Sequence, residues 1–96
     1  MILEHALLQV RIGQEAAFEA AMATAKPLIA ASPGFQGMEV RPAVEKSGLY
    51  LLVVRWDSIA HHRKGFRTSD RYQDWRALLH GFYDPMPTVD YFGESL

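Results

Sequence analysis

LYLLVVRW, Leu49 to Trp56, is the stretch on which the fold turns. It follows the turn sequence EKSG (Glu45–Gly48) and stops at Asp57–Ser58, and its β-branched and aromatic content reads as a strand. Between Leu49 and Val54 both parities are apolar, whereas a strand with one wet face alternates. Strands written without alternation are buried on both sides. Leu7 and Leu8 repeat the pattern in ILEHALLQVRI (Ile2–Ile12), a first strand closed by Gly13.

Outward from that strand the chain alternates in type. From Gln14 to Ala31 eight of eighteen residues are alanine, and Phe18, Met22, Ala25 and Leu28/Ile29 recur at helical spacing. This predicts an amphipathic helix, bent or shortened at Pro27 and stopped by Ser32–Gly34. FQGMEVRPAV (Phe35–Val44) reads as a second strand, at a sheet edge or bulged because Pro42 has no donor for a ladder. After Trp56, Asp57 or Ser58 should cap a short helix through about Lys64. Gly65 then interrupts, and Thr68 or Ser69 starts a second segment in which Tyr72, Trp75, Leu79 and Phe82 share one face. YDPMP (Tyr83–Pro87) ends it, and MPTVDYF (Met86–Phe92) gives a last strand.

The order β-α-β-β-α-β predicts one domain over residues 1–96, of the α+β class. It is the ferredoxin-like arrangement, a four-stranded antiparallel sheet with two helices on one face. Two helices cover only one face of that sheet. An apolar face left wet would exceed what monomers usually expose, so a homodimer, sheet against sheet, is expected. The other outcome would be a far face that is partly polar.

The 96 residues carry a formal net charge of −1 and no cysteine. The first argues against nucleic acid as a partner, and the second excludes disulfides and thiolate metal sites. The N-terminal stretch has no basic n-region, and Glu4, His5 and Gln9 break its apolar runs. It therefore reads as neither a signal peptide nor a membrane span, and a cytoplasmic location is expected.

The chemistry-bearing residues crowd into RWDSIAHHRKGFRTSDRYQDW (Arg55–Trp75). Adjacent His61 and His62 diverge by about 100° on a helix and cannot chelate one ion, and no other spacing supports a metal site. No serine lies in a nucleophile-elbow pattern and no Gly-rich phosphate loop appears. Six of the ten Lys and Arg residues fall between Arg55 and Arg76. Such a run could draw an anionic substrate, although a solvated helix face is the commoner outcome. Arg76 and His80 border the apolar face and are candidates to line a pocket beneath the helix. Glu4 and His5 have opposite parity in the first strand, so both are expected to be partly buried, on opposite sides, and to need hydrogen-bond partners.

Three stretches resemble the antibiotic biosynthesis monooxygenase family: VRIGQEAAF (Val10–Phe18), SPGFQGMEV (Ser32–Val40) and RWDSIAHH (Arg55–His62). The resemblance covers nearly the whole chain and implies a dimeric α/β barrel. It also implies either cofactor-independent oxygenation of quinol-like aromatic polyketides or, in one branch, haem degradation. The sequence departs from the family where a histidine often stands nine residues beyond the tryptophan; here that position is Gly65. The asparagine, tryptophan and histidine of the haem-degrading branch fall on Ala6, Gly65 and Trp75 or Arg76, and none matches. The resemblance thus implies a monooxygenase using neither metal nor flavin, acting on a small aromatic substrate. Phe66, Tyr72, Trp75 and Phe82 would wall the pocket, Arg76 would stabilise the anion, and His62 or His80 would take the proton. The alternative on the same scaffold is a non-catalytic, ligand-binding or stress-associated dimer, with those aromatics as plain core.

Overall fold

The computed structural model describes residues 1–96. The strands are β1 (Ile2–Gln9), β2 (Phe35–Pro42), β3 (Leu49–Trp56) and β4 (Val89–Phe92), and the helices are α1 (Glu15–Ala30) and α2 (Asp70–Leu79). They form one antiparallel sheet in the order β2-β3-β1-β4, which is the ferredoxin-like topology. A π-helical turn (His61–Phe66) leads into α2, and a 3-10 turn (His80–Phe82) leaves it. No helix is long and apolar enough to cross a membrane.

Strand pairing fixes which side chains meet the helices. On β1 these are Glu4, Ala6 and Leu8, and on β3 Tyr50, Leu52, Val54 and Trp56, all buried. Phe18, Met22, Ala25 and Ile29 of α1 and Trp75 and Leu79 of α2 close over them. The apolar stripes read from helical spacing are therefore the faces that pack, because burying them is the main source of stability in so small a chain.

The opposite sheet face has no cover within the chain. Leu7 and Leu51 stand side by side in its middle, Leu7 remaining 53% exposed, with Leu3, Leu49 and Val53 around them. Toward the β2 edge the face turns polar. There Glu39 accepts from Arg41 at 2.7 Å and from Arg55 at 3.0 Å, and these two bonds hold its carboxyl below the usual range. The far side is thus an apolar centre with a charged margin.

Several boundaries differ from the sequence expectation. β1 stops at Gln9, after which Val10 makes an isolated bridge to Tyr83 and donates to Gly48 O at 2.8 Å. β2 stops at Pro42, an edge position where the missing donor costs no ladder bond. α1 continues past Pro27 to Ala30 rather than ending early, because the ring lies on the exposed side and the carbonyl that loses its donor belongs to exposed Ala23. Gly65 does not break the helix after Trp56. The segment widens instead, with Arg67 N donating to His62 O at 3.0 Å, a bond spanning five residues. The last strand begins at Val89 rather than Met86.

Candidate active site

The site begins with Glu4, a carboxylate on the helix-facing side of β1 and only 4% exposed. Across the sheet, Trp56 Nε1 donates to Glu4 Oε1 at 2.9 Å. His62 Nε2 lies 3.3 Å from that same oxygen, and His62 Nδ1 lies 2.6 Å from the Tyr91 hydroxyl. Tyr91 is the β4 residue paired with Glu4, so the two are neighbours on one face. Four side chains from three strands and the π turn thus form one contiguous polar chain, with hydrogen bonds at its two ends and the Glu4–His62 contact between them.

The π turn is what brings His62 here. Ser58 starts the segment, its Oγ accepting from His61 N at 3.3 Å and lying 2.8 Å from His61 Nδ1. Gly34, in a left-handed conformation at φ 82°, lies beneath His61; a β-carbon there would come 2.3 Å from the imidazole. His61 is thereby held outward and His62 inward. The wide turn then stacks Phe66 on His62, with ring centroids 6.3 Å apart, and Trp56 packs against both rings, at 5.4 Å from His62 and 6.3 Å from Phe66.

Burial sets the protonation of the pair. Removal from water raises the Glu4 carboxyl, an effect partly offset by the Trp56 bond and the Arg67 charge. Removal from water, helped by the Arg67 and Arg63 charges, lowers His62 to about 4. Both shifts favour the uncharged forms, a carboxylic acid beside a neutral imidazole. Ionising Glu4 through this chain releases one proton: the carboxyl proton moves to Nε2, the Nδ1 proton passes to the Tyr91 oxygen, and the hydroxyl's own proton leaves to solvent. The other oxygen, Glu4 Oε2, meets no donor of the chain, leaving it available to a bound molecule.

Glu4 and His62 open on a cavity of about 60 Å³ between the sheet and the second half of the chain. Its walls are largely apolar, with Leu8, Leu52 and Val89 on the sheet and Phe66, Tyr72 and Trp75 opposite. Phe66 meets Trp75 edge-on at 5.7 Å and Tyr72 at 5.4 Å. His80 also lines the cavity; partial burial and the Arg76 and Arg67 charges lower its pKa. Of the residues singled out from sequence, the structure brings together His62, His80, Phe66, Tyr72 and Trp75. It does not bring Arg76 or Phe82 to them. Arg76 points to solvent because it follows Trp75 by one position, about 100° around the helix. Phe82 packs on Phe18 at 5.8 Å, behind the cavity wall.

Three participants carry no site signal of their own in the sequence. Arg67, the only exposed side chain of the lining, was counted merely as one base in a run. Tyr91 and Trp56 gave no local signal, since their partners lie 29 and 52 residues away. Glu4 did give one, as a carboxylate at buried parity. No group of three His, Cys, Asp or Glu side chains is placed to hold a metal ion.

A four-stranded sheet and two helices enclosing an aromatic-walled cavity define a ferredoxin-like α+β protein with an internal polar pair. Within that class, the chain belongs to the antibiotic biosynthesis monooxygenase family, whose model matches residues 1–78. It is similar to the uncharacterized protein YczJ of Bacillus subtilis (strain 168), at 41% identity over 92 residues, covering 96% of this chain and 97% of that one. A Bordetella bronchiseptica structure that carries the family's name superposes with a TM-score of 0.93 at 35% identity, covering 99% of this chain and 97% of that one. SnoaB, a cofactor-independent oxygenase from Streptomyces nogalater, shares the fold with a TM-score of 0.86 at 17% identity, covering 99% and 93% of the two chains.

Proposed function

We propose that the protein is a cofactor-independent monooxygenase acting on a small, electron-rich phenol or quinol. The observation that carries this reading is the Glu4–His62 pair at the wall of a cavity otherwise lined by aromatic and aliphatic side chains. The family and the shared fold with SnoaB support it.

The chemistry asks three things of the chain. It must seat the ring, for which Trp75, Phe66 and Tyr72 offer their faces and edges. It must take the phenolic proton, for which the ionised form of Glu4, with Oε2 free, and His62 behind it form a relay ending at Tyr91. It must exclude water, which the apolar walls do. The resulting phenolate transfers one electron to O₂, and the phenoxyl and superoxide radicals join at the para carbon. The peroxide takes up the proton and loses water as the para C–H bond breaks. In sum, a phenol with a para hydrogen plus O₂ gives a quinone plus H₂O, with no outside reductant.

A homodimer belongs to the same reading. The uncovered sheet face, centred on Leu7 and Leu51, is apolar enough to favour a second copy, and its Glu39–Arg55 margin offers polar contacts at the rim. A second reading, a ligand-binding dimer without turnover, is favoured by the small size of the cavity.

Oxygen uptake by metal-free protein against a panel of quinols and hydroxylated anthrones tests the proposal. Uptake should occur, and His62→Asn and Glu4→Gln should each slow it by roughly 100-fold or more, the range general acid–base groups contribute. No uptake across the panel, with saturable binding of another ligand, would leave the second reading in place.

A further inference from the structure

We infer that the cavity is built for an aromatic acid of a single ring, its ring held by Trp75 and Phe66 and its anionic group by Arg67. This names the substrate class and rests on reading the cavity as the substrate site.

The first ground is charge. Arg67 is the only exposed side chain of the lining and stands at the mouth. Its guanidinium has no ion pair and no hydrogen bond within the chain, whereas Arg11, Arg41 and Arg55 each have a carboxylate. The only acid in the lining is Glu4, already engaged by Trp56 and His62. Two further positive charges stand nearby: Arg63 lies over the Tyr91 ring at 5.1 Å, and Arg76 acts on His80 from the solvent side. The lining histidines are driven toward the neutral form, and Arg67 contributes to that shift at both. Arg67 therefore offers a guanidinium that no carboxylate of the chain grips, Glu4 feeling its charge without bonding to it, and a complementary ligand brings a negative group. A guanidinium suits a carboxylate, which it grips with two parallel hydrogen bonds.

The second ground is size. A benzene ring fills an apolar cavity of about 150 Å³. The space here is about 60 Å³, less than one ring, before any wall moves. Outward movement of exposed Arg67 and half-buried Pro87 would admit one ring. Two or three fused rings would have to displace Leu52, Trp75 or Leu8, all buried in the core.

Calorimetric titration under nitrogen separates this inference from turnover. The probes are benzoate, its neutral isostere benzamide, and naphthalene- and anthracene-2-carboxylate. Benzoate should bind at least tenfold more tightly than benzamide, and the two larger acids more weakly than benzoate. Arg67→Gln should abolish the preference for benzoate while leaving Tm unchanged, since the side chain is exposed. Equal binding of benzoate and benzamide, discrimination that survives R67Q, tighter binding of the tricyclic acid, or no binding of any probe would each overturn the inference. Benzoate binding alongside a failed oxygen-uptake panel would sink the oxygenase reading alone.

Discussion

His62 offers the sharpest test of how the buried pair is protonated. Its imidazole ordinarily titrates near 6.5 and is held at about 4 in the folded chain. Between those values the unfolded chain binds more protons than the folded one, so this residue makes stability rise with pH. Its contribution is complete above about pH 6.5 and is lost as the pH falls toward 4. Each pH unit in that window is worth about 1.4 kcal/mol, so the full effect is about 3 kcal/mol. The perturbation is His62→Asn, which keeps polarity and removes the titration. Urea unfolding of both proteins at half-unit steps from pH 4 to 7.5 measures the difference. Relative to H62N, the wild type should lose about 3 kcal/mol on going from pH 7 to pH 4. The opposite arrangement, a Glu4 carboxylate paired with an imidazolium, would raise the histidine's pKa and lose stability as pH increases. A flat difference, or one of that reversed sign, would refute the uncharged pair.

Other outcomes follow from single contacts. Trp56→Phe removes the donor to Glu4 Oε1 and should cost about 1–3 kcal/mol in urea unfolding, the range for orphaning a buried acceptor. Ser69→Ala removes the side-chain cap on Tyr72 N and should cost about 1 kcal/mol, read as a fall in Tm. Gly34→Ala forces a β-carbon onto His61 at a φ that side chains avoid; it should lower Tm sharply, whereas Gly81→Ala, with open space around it, should not. Leu51→Asp places a charge at the centre of the uncovered sheet face. It should yield a folded monomer by light scattering at micromolar concentration, and the wild type should scatter there as a dimer.

The element order was legible because Leu49–Trp56 and the alanine-rich α1 carry strong local patterns. Both parities of β3 are apolar, however, so the sequence could not say which of them meets the helices. That choice depends on pairing with β1, where Glu4 and Ala6 set the register. Pro27 misled because its cost depends on which side of the helix its ring faces. At the site, Tyr72 and Trp75 were legible as one helix face with Leu79 and Phe82, and His80 as a residue bordering it. Arg76 was placed one position too generously toward the interior, and Arg67 was hidden in a run of like charges. The polar chain through Glu4, His62, Tyr91 and Trp56 was not legible at all, because tertiary contact alone joins its members.

The π turn between β3 and α2 absorbs one residue without disturbing the helix that follows. Counting positions outward from Trp56 therefore works only as far as Ala60. Beyond it, a homologue whose turn is tighter by one residue would bring a differently numbered side chain to the same point in space. Whether a histidine nine places after the tryptophan is present or absent then says little about which imidazole reaches the carboxylate on β1.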